Sequence, residues 1–323
     1  MIFRRITLIP FLSIMLVLIS FKLQADTQVK PFVLATADGN SFDEIIESTR
    51  NRLTSAGFEI LGEYSPYAKA SIIVFTNDEL RSTATKSERG GYGGALRIAI
   101  TELENEIQVA YTNPRYWSNS YRMATNLQSV SDTLASAFNA KSEFGTGDKK
   151  LSESDMRDYH YTFMMEYFDD PSLLIGQASH KAAVDQIESY LSEGTNGTSK
   201  VYRLNLGKDT EGKQMTLFGV GLGGKDADDC SSDQYIMSRI DKSSPRHTAH
   251  LPYELLVYGN EVEALYGRFR IAISWPHLPM MSSDTGATFL SIMCAPGAIK
   301  DALSQVAGAV KKSQTIRELQ GRD

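Results

Sequence analysis

The chain has 323 residues, with 33 Lys or Arg against 39 Asp or Glu, and 42% of its residues are hydrophobic. The formal net charge of −6 has the wrong sign for a protein that binds nucleic acid or an anionic membrane through charge. The apolar content is that of a globular chain, and the length allows one large core or two ordinary ones.

The first 25 residues have the three-part layout of a secretory signal peptide. Arg4 and Arg5 give a positive start, residues 6–21 form an apolar run, and Ala25 places a small residue before Asp26. We predict cleavage between Ala25 and Asp26 and a periplasmic or secreted mature chain. An uncleaved anchor is the alternative, because the run approaches the length that spans a bilayer. No later stretch predicts a membrane span, so we do not expect an integral membrane protein.

Residues 26–140 predict an α+β domain. Its first helix begins at Ser41, which forms a capping box with Glu44, and ends at Gly57. Apolar residues behind the cap recur at helical spacing and define one buried stripe. The other predicted elements of this half are strands at 31–37, 58–64, 70–76, 95–101 and 106–111, and a helix at 127–138.

A polar, charged segment at 141–158 predicts a linker, and 313–323 a polar tail. Between them, residues 159–312 repeat the element order of the first half. The predicted strands there are 161–168, 201–206, 215–221, 253–258, 262–266, 268–275 and 288–294, and the predicted helices are 179–191 and 299–310. We therefore predict two similar α+β halves, each an antiparallel or mixed sheet with helices packed on one face.

The two hairpins share residues, since Asn105–Tyr111 is similar to Asn260–Tyr266. This similarity favours a diverged tandem repeat.

At these hairpins the chain resembles the family catalogued as domain of unknown function 302. The resemblance rests on Gly57-Phe58-Glu59-Ile60 after the first helix and on a hairpin that ends in Tyr111-Thr112-Asn113-Pro114-Arg115-Tyr116. In the second half, Leu251-Pro252-Tyr253-Glu254-Leu255-Leu256-Val257-Tyr258 is similar to the family's hairpin entry, although the Asn-Pro ending is absent. The similarity covers about residues 32–123 and 180–310. It implies an α+β fold and dimeric packing, and no chemistry for any residue.

Familiar catalytic motifs are absent from the sequence, which contains no Gly-x-Ser-x-Gly, His-Glu-x-x-His, Cys-x-x-Cys or phosphate-binding loop. Gly219–Gly224 matches Gly-x-Gly-x-x-Gly, but the carboxylates of Asp226 and Asp228 that follow would repel a phosphate. These two acids, with Asp229 and Asp233, could surround Ca²⁺. Their spacing lacks the glycine and distal glutamate of a calcium-binding loop, so it favours a solvated loop.

Three histidines, His247, His250 and His277, lie near Met280 and Met281. Imidazole and thioether are ligands that a periplasmic copper or zinc site would use. The alternative is surface histidines with methionines that fill the core. We expect no other cofactor.

An aromatic and basic group follows the first hairpin, with Arg115, Tyr116, Trp117, Tyr121 and Arg122 as its members. Such a group can line a binding face, but the more common arrangement caps a sheet edge.

The two cysteines, Cys230 and Cys294, are predicted to form a disulfide, because export places them in an oxidising compartment. Two buried thiols are the alternative, and the apolar run before Cys294 suits one.

Together these signals favour an exported binding or accessory protein of unknown ligand, with a sheet face open to a second copy or a protein partner. One rival is an enzyme whose site is assembled from scattered acids and bases such as Glu63, His247 or Asp284. The other is a copper- or zinc-handling protein that uses the three histidines.

Overall fold

The computed structural model describes residues 27–223 and 228–309. The predicted cleavage site at Ala25 and Asp26, the acid Asp226 and the tail 313–323 lie outside these residues. Within the described part of the chain, no helix is long and apolar enough to cross a membrane.

The first half folds as a six-stranded antiparallel sheet with helices between its strands. Its elements are β1 (Phe32–Ala35), α1 (Phe42–Ser55), β2 (Glu59–Tyr64), β3 (Ala70–Thr76), α2 (Asp78–Ala84), β4 (Leu96–Glu102), β5 (Ile107–Thr112), α3 (Pro114–Ser120), α4 (Gln128–Phe138), β6 (Ser142–Phe144) and α5 (Glu153–Arg157). The strands lie in the order β2-β3-β4-β5-β1-β6.

The second half folds as a five-stranded antiparallel sheet. Its elements are β7 (Ser172–Gly176), α6 (His180–Ser192), β8 (Thr198–Lys208), β9 (Gln214–Leu222), α7 (Asp233–Ile240), β10 (Tyr253–Tyr258), β11 (Glu261–Ala264), α8 (Gly267–Ser274) and α9 (Ala295–Val306). The strands lie in the order β8-β9-β10-β11-β7.

The two sheets have the same topology, apart from the extra strand β6. In each half the strand before the first helix pairs with the last strand of the hairpin, and the next strand forms the far edge. The predicted α+β fold is confirmed, and the matching strand orders support the predicted duplication.

The first helices of both halves begin at the predicted N-cap serines, although the Glu44 carboxylate accepts from the backbone N–H of Asn40 at 2.9 Å and not from that of Ser41, so the predicted capping box is only half formed. Ser41 Oγ accepts a hydrogen bond from the backbone N–H of Glu44 at 3.3 Å, and Ser179 Oγ accepts one from Ala182 at 3.1 Å. Helix α1 buries Ile45 and Leu53 at the predicted spacing.

The halves share one hydrophobic core, because each covers the inner sheet face of the other. The 3-10 turn Gly90–Gly93 packs on β9 and β10, while the 3-10 turn Thr248–His250 packs on β3, β4 and β5. All seven residues of β3 are buried, as expected for a strand covered on both faces. The inner faces of the two sheets are thus occupied within the chain, and a partner on another sheet surface stays a prediction.

The segment 141–158, predicted to be a linker, is part of the first half. Its strand β6 pairs with β1, and an isolated bridge joins Gln28 to Ser152. Polar composition misled the prediction, because β6 is a short edge strand that buries only Phe144.

Three other predicted strands are wrong. Residues 161–168 form turns before β7, 268–275 lie mostly in α8, and 288–294 contain the 3-10 turn Leu290–Ile292. Seven of the eight residues of α8 are buried, so its sequence lacks the polar face that marks a helix at the surface.

Candidate functional site

A charged cluster lies in the core where the two sheets face each other. Glu254 on β10 forms ion pairs with Arg97 on β4 and Arg270 on α8, the latter with Arg270 Nε 3.3 Å from Glu254 Oε2. The three side chains are at most 2% exposed. The guanidinium carbons of Arg270 and Arg97 lie 4.7 and 5.9 Å from the ring centroid of Trp117. A single carboxylate thus serves two buried arginines.

His250 belongs to this cluster as a neutral ring. Arg270 Nη1 lies 3.1 Å from His250 Nδ1, and an arginine can only donate, so Nδ1 is the acceptor. The Nε2–H then donates to the hydroxyl of Tyr253 at 3.1 Å. Burial is the main cause that lowers the pKa of His250 well below its usual value, followed by the charge of Arg270.

His247 and His277 are neighbours outside the Arg270 cluster. Their ring centroids are 5.8 Å apart, and the His247 ring stacks on Trp275 at 5.0 Å. Each Nδ1–H donates to a backbone carbonyl at 2.9 Å, His247 to Ser274 and His277 to Gly145. Burial lowers the pKa of His247 to about 3.

The three histidines therefore do not form the single metal site that the sequence suggested. His250 uses both ring nitrogens within the Arg270 cluster, which leaves only His247 and His277 as neighbours. Residues 27–223 and 228–309 contain no group of three or more His, Cys, Asp or Glu side chains that could hold a metal ion. The acids Asp228, Asp229 and Asp233, which are among the described residues, therefore do not form such a group either.

The aromatic and basic group after the first hairpin is structural. Tyr116, Trp117 and Tyr121 are at most 1% exposed and fill the core between the halves. The two arginines are in ion pairs, Arg115 with Glu153 at 2.5 Å and Arg122 with Asp169 at 2.7 Å. Neither a binding face nor a cap on a sheet edge describes this arrangement.

The acids proposed for a scattered active site lie apart. Glu63 is on the surface and accepts from Arg50 at 2.6 Å, while Asp284 is an exposed loop residue. His247 is buried with a backbone partner. No two of these three residues are hydrogen-bonded to each other in the described structure, so the proposed acid–base set is not assembled.

Two buried aspartates were missed as titratable groups. Burial raises the pKa of Asp233 and of Asp241 to about 7. Asp233 accepts from the Tyr64 hydroxyl at 2.5 Å and from the Leu222 backbone N–H at 2.9 Å, and Asp241 accepts from the His247 backbone N–H at 2.9 Å. The aspartates border the interface between the halves, where sequence gives no sign of burial.

Asp241→Asn should become more stable than the unsubstituted protein as the pH rises. Asp241 keeps its proton up to about pH 7 in the folded state and only up to about pH 4 in the unfolded state. The free energy of unfolding of the unsubstituted protein therefore falls as the pH rises between these values, whereas asparagine does not titrate. The stability difference between the two proteins should widen over that window and stay constant above it. Urea unfolding at several pH values measures it, with Asp284→Asn, at an exposed position, as the control. A difference that does not change with pH would contradict the assignment.

A mainly apolar surface pocket with charged groups at its rim, which we call the methionine pocket, lies beside the start of α9. Its volume is about 560 Å³. The lining residues are Met165, Tyr266, Arg268, Met280, Met281, Phe289, Leu290, Met293, Pro296, Gly297 and Lys300. Met280 and Met281 are 48% and 76% exposed, so these two methionines form a surface and do not fill the core as the alternative had it. Met293 beside them is 74% exposed.

Two cations border the methionine pocket. Arg268 forms an ion pair with Glu166, and Lys300 Nζ lies 5.7 Å from the ring centroid of Tyr266. Among the described residues, no ion pair of Lys300 is found, so its charge remains available to a ligand.

The disulfide lies next to this pocket. Cys230 and Cys294 are bonded, with Cα atoms 5.7 Å apart, and Cys294 stands directly before α9. The bond ties the loop before α7 to the segment that carries Met293 and Pro296. Cys294 is an exposed residue rather than the buried thiol of the alternative reading.

Compared with protein-family models, curated proteins and solved structures, the chain has no significant match. The resemblance to domain of unknown function 302 stays a prediction.

Proposed function

We propose that this is an exported binding protein whose ligand, an amphipathic organic anion, occupies the methionine pocket. The observation that carries the proposal is the combination of apolar lining and cationic rim in a cavity of about 560 Å³. Binding sites for small molecules typically have this size, mostly apolar walls and a few polar groups that orient the ligand. Export is proposed from the leader sequence.

The walls suit a flexible apolar chain. Four methionines surround the pocket, and methionine adapts its shape at low cost because it is unbranched and polarisable. Phe289 supplies a fixed aromatic floor, since it is only 7% exposed. Exposed large apolar side chains are otherwise costly in water, and a ligand that covers Met281 and Met293 would remove that cost.

The rim selects the charge of the ligand. Lys300 can meet an anionic head group directly, whereas Arg268 is already engaged by Glu166. A carboxylate or sulfonate on an apolar body matches this arrangement, and a cationic amphiphile does not.

The probe 8-anilinonaphthalene-1-sulfonate tests the proposal, because it joins an apolar body to one anionic group. Its fluorescence should rise on binding to the folded protein, and decanoate should displace it. Met281→Glu should weaken binding at least about tenfold, because the new carboxylate repels the sulfonate and must be desolvated. Lys300→Glu should weaken it about fivefold.

Matched controls separate the pocket from general surface effects. Met164→Glu changes a methionine that is 81% exposed and does not line the pocket, and Lys181→Glu reverses a surface charge on α6. Both controls should bind like the unsubstituted protein. The proposal fails if the folded protein does not bind the probe, or if Met281→Glu and Met164→Glu bind it equally well.

A further inference from the structure

The charged cluster between the sheets has an excess of positive charge. Arg97 and Arg270 share the carboxylate of Glu254, and His250 is neutral because its Nδ1 accepts from Arg270. Burial and the charge of Arg270 lower the pKa of Arg97 to about 10, so Arg97 stays protonated at neutral pH. A buried charge without a counter-charge destabilises the folded state.

The same region contains hydrogen-bond donors without an acceptor. Within the described residues, Arg97 Nε and the hydroxyls of Tyr121 and Tyr202 have no hydrogen-bond acceptor, although all three side chains are at most 2% exposed. Both hydroxyls are close enough to Arg97 to act on its pKa, and the guanidinium donates to the Tyr121 oxygen. A guanidinium cannot accept the hydroxyl protons in return, so both O–H groups still lack an acceptor.

The guanidinium of Arg270, in contrast, has acceptors for its N–H groups. Its Nη2 donates to the His250 carbonyl at 2.5 Å, its Nη1 to Ser274 Oγ at 3.1 Å, and its Nε lies 3.3 Å from Glu254. Arg97 has the shared carboxylate and the Tyr121 oxygen, and its Nε has no acceptor among the described residues. The unmet demand for acceptors and for negative charge is thus on the Arg97 side of Glu254.

We infer that a small monovalent anion the size of chloride binds between the sheets, at Arg97 Nε and the hydroxyls of Tyr121 and Tyr202. Three donors and one surplus positive charge are what such an ion requires. An ordered water would accept hydrogen bonds but would leave the charge uncompensated, so the two occupants differ in a measurable way. The site is separate from the methionine pocket and does not depend on the proposed function.

Stability in different sodium salts at equal ionic strength tests the inference. The urea midpoint should be higher in sodium chloride or bromide than in sodium gluconate, since an ion that binds only the folded state stabilises it. Arg97→Met should abolish that difference while leaving the Arg270–Glu254 pair balanced. Arg203→Met, at a surface arginine paired with Glu188, should keep it.

Tyrosine variants keep the test decisive if Arg97→Met does not fold. Tyr121→Phe with Tyr202→Phe removes two donors without changing the charge, and should reduce the halide effect. Tyr116→Phe removes a buried hydroxyl that already donates to the Ile273 carbonyl at 2.8 Å, so it should lower stability equally in both salts.

Crystals soaked in bromide give a direct measure of the site. An anomalous peak beside Arg97 Nε and the two hydroxyls is the expected result. A water without anomalous signal at that place, or a halide effect that persists unchanged in Arg97→Met, would overturn the inference.

Discussion

Replacing Glu254 with Gln should lower the free energy of unfolding by about 3–5 kcal/mol. The substitution keeps the size of the side chain but removes the carboxylate that Arg97 and Arg270 share in the core. Both guanidinium groups would then lose the only carboxylate that they share, and neither can be deprotonated cheaply. Urea denaturation followed by tryptophan fluorescence measures the loss, because Trp117 and Trp275 lie beside the cluster.

Glu261→Gln is the matched control. Glu261 is an exposed residue on β11, one strand away from Glu254 in the same hairpin. Its substitution should change stability by less than about 0.5 kcal/mol. A loss below about 1 kcal/mol for Glu254→Gln would show that water reaches the cluster and that its charges are not desolvated.

Removing the disulfide should lower the free energy of unfolding by about 4 kcal/mol. Cys230 and Cys294 are 64 positions apart, and a crosslink over a loop of that length restricts the unfolded chain strongly. The double variant Cys230→Ser with Cys294→Ser should show the loss in urea denaturation. The unsubstituted protein should show a similar loss after reduction, and the double variant should not respond to reductant.

Thiol counting provides the independent check. The denatured, unreduced protein should have no reactive thiol, and the reduced protein should have two. Two reactive thiols before reduction, or a midpoint that reductant leaves unchanged, would contradict the pairing.

The fold could be predicted where local signals decide the structure. Ser41 with Glu44 specified the start of α1, and the two hairpins were placed within a residue or two by alternating apolar side chains and short turns. Their shared residues also indicated a repeat, which the strand orders of both sheets support.

The fold could not be predicted where the partner half decides the structure. Helix α8 packs against α9 and is buried almost all round, so its apolar residues show no helical period. The run 288–294 was apolar enough for a strand, but it forms a turn that leads to α9 beside the disulfide. Hydrophobic periodicity appears in a sequence when one face of an element is buried and the other is exposed to water. Helix α8 exposes little surface, so the periodicity is missing there.

The methionine pocket was only half visible in the sequence. Met280 and Met281 were singled out, but Met165 and Met293 are distant in the chain and join them only in the fold. Nothing in the pattern indicates that these side chains are exposed, because methionine is usually a core residue. The metal ligands sought among His247, His250 and His277 were chosen by proximity in sequence. In the fold His250 is held by Arg270, Ser274 and Tyr253, and only His247 and His277 are neighbours.

The two halves have the same strand order, but the charged cluster of Glu254, Arg97 and Arg270 is present in a single copy. In an isologous dimer every interface residue is present twice, so a contact between different residues is repeated across the axis. The registers of the two hairpins can be aligned, because Glu102 pairs with Ile107 in the first and Val257 pairs with Val262 in the second. In this alignment Ala99 is equivalent to Glu254, and Pro252 is equivalent to Arg97. The first half thus has no second copy of the carboxylate. Two halves of one chain can diverge and so carry this cluster in one copy. A symmetric dimer of identical chains would have to carry it twice.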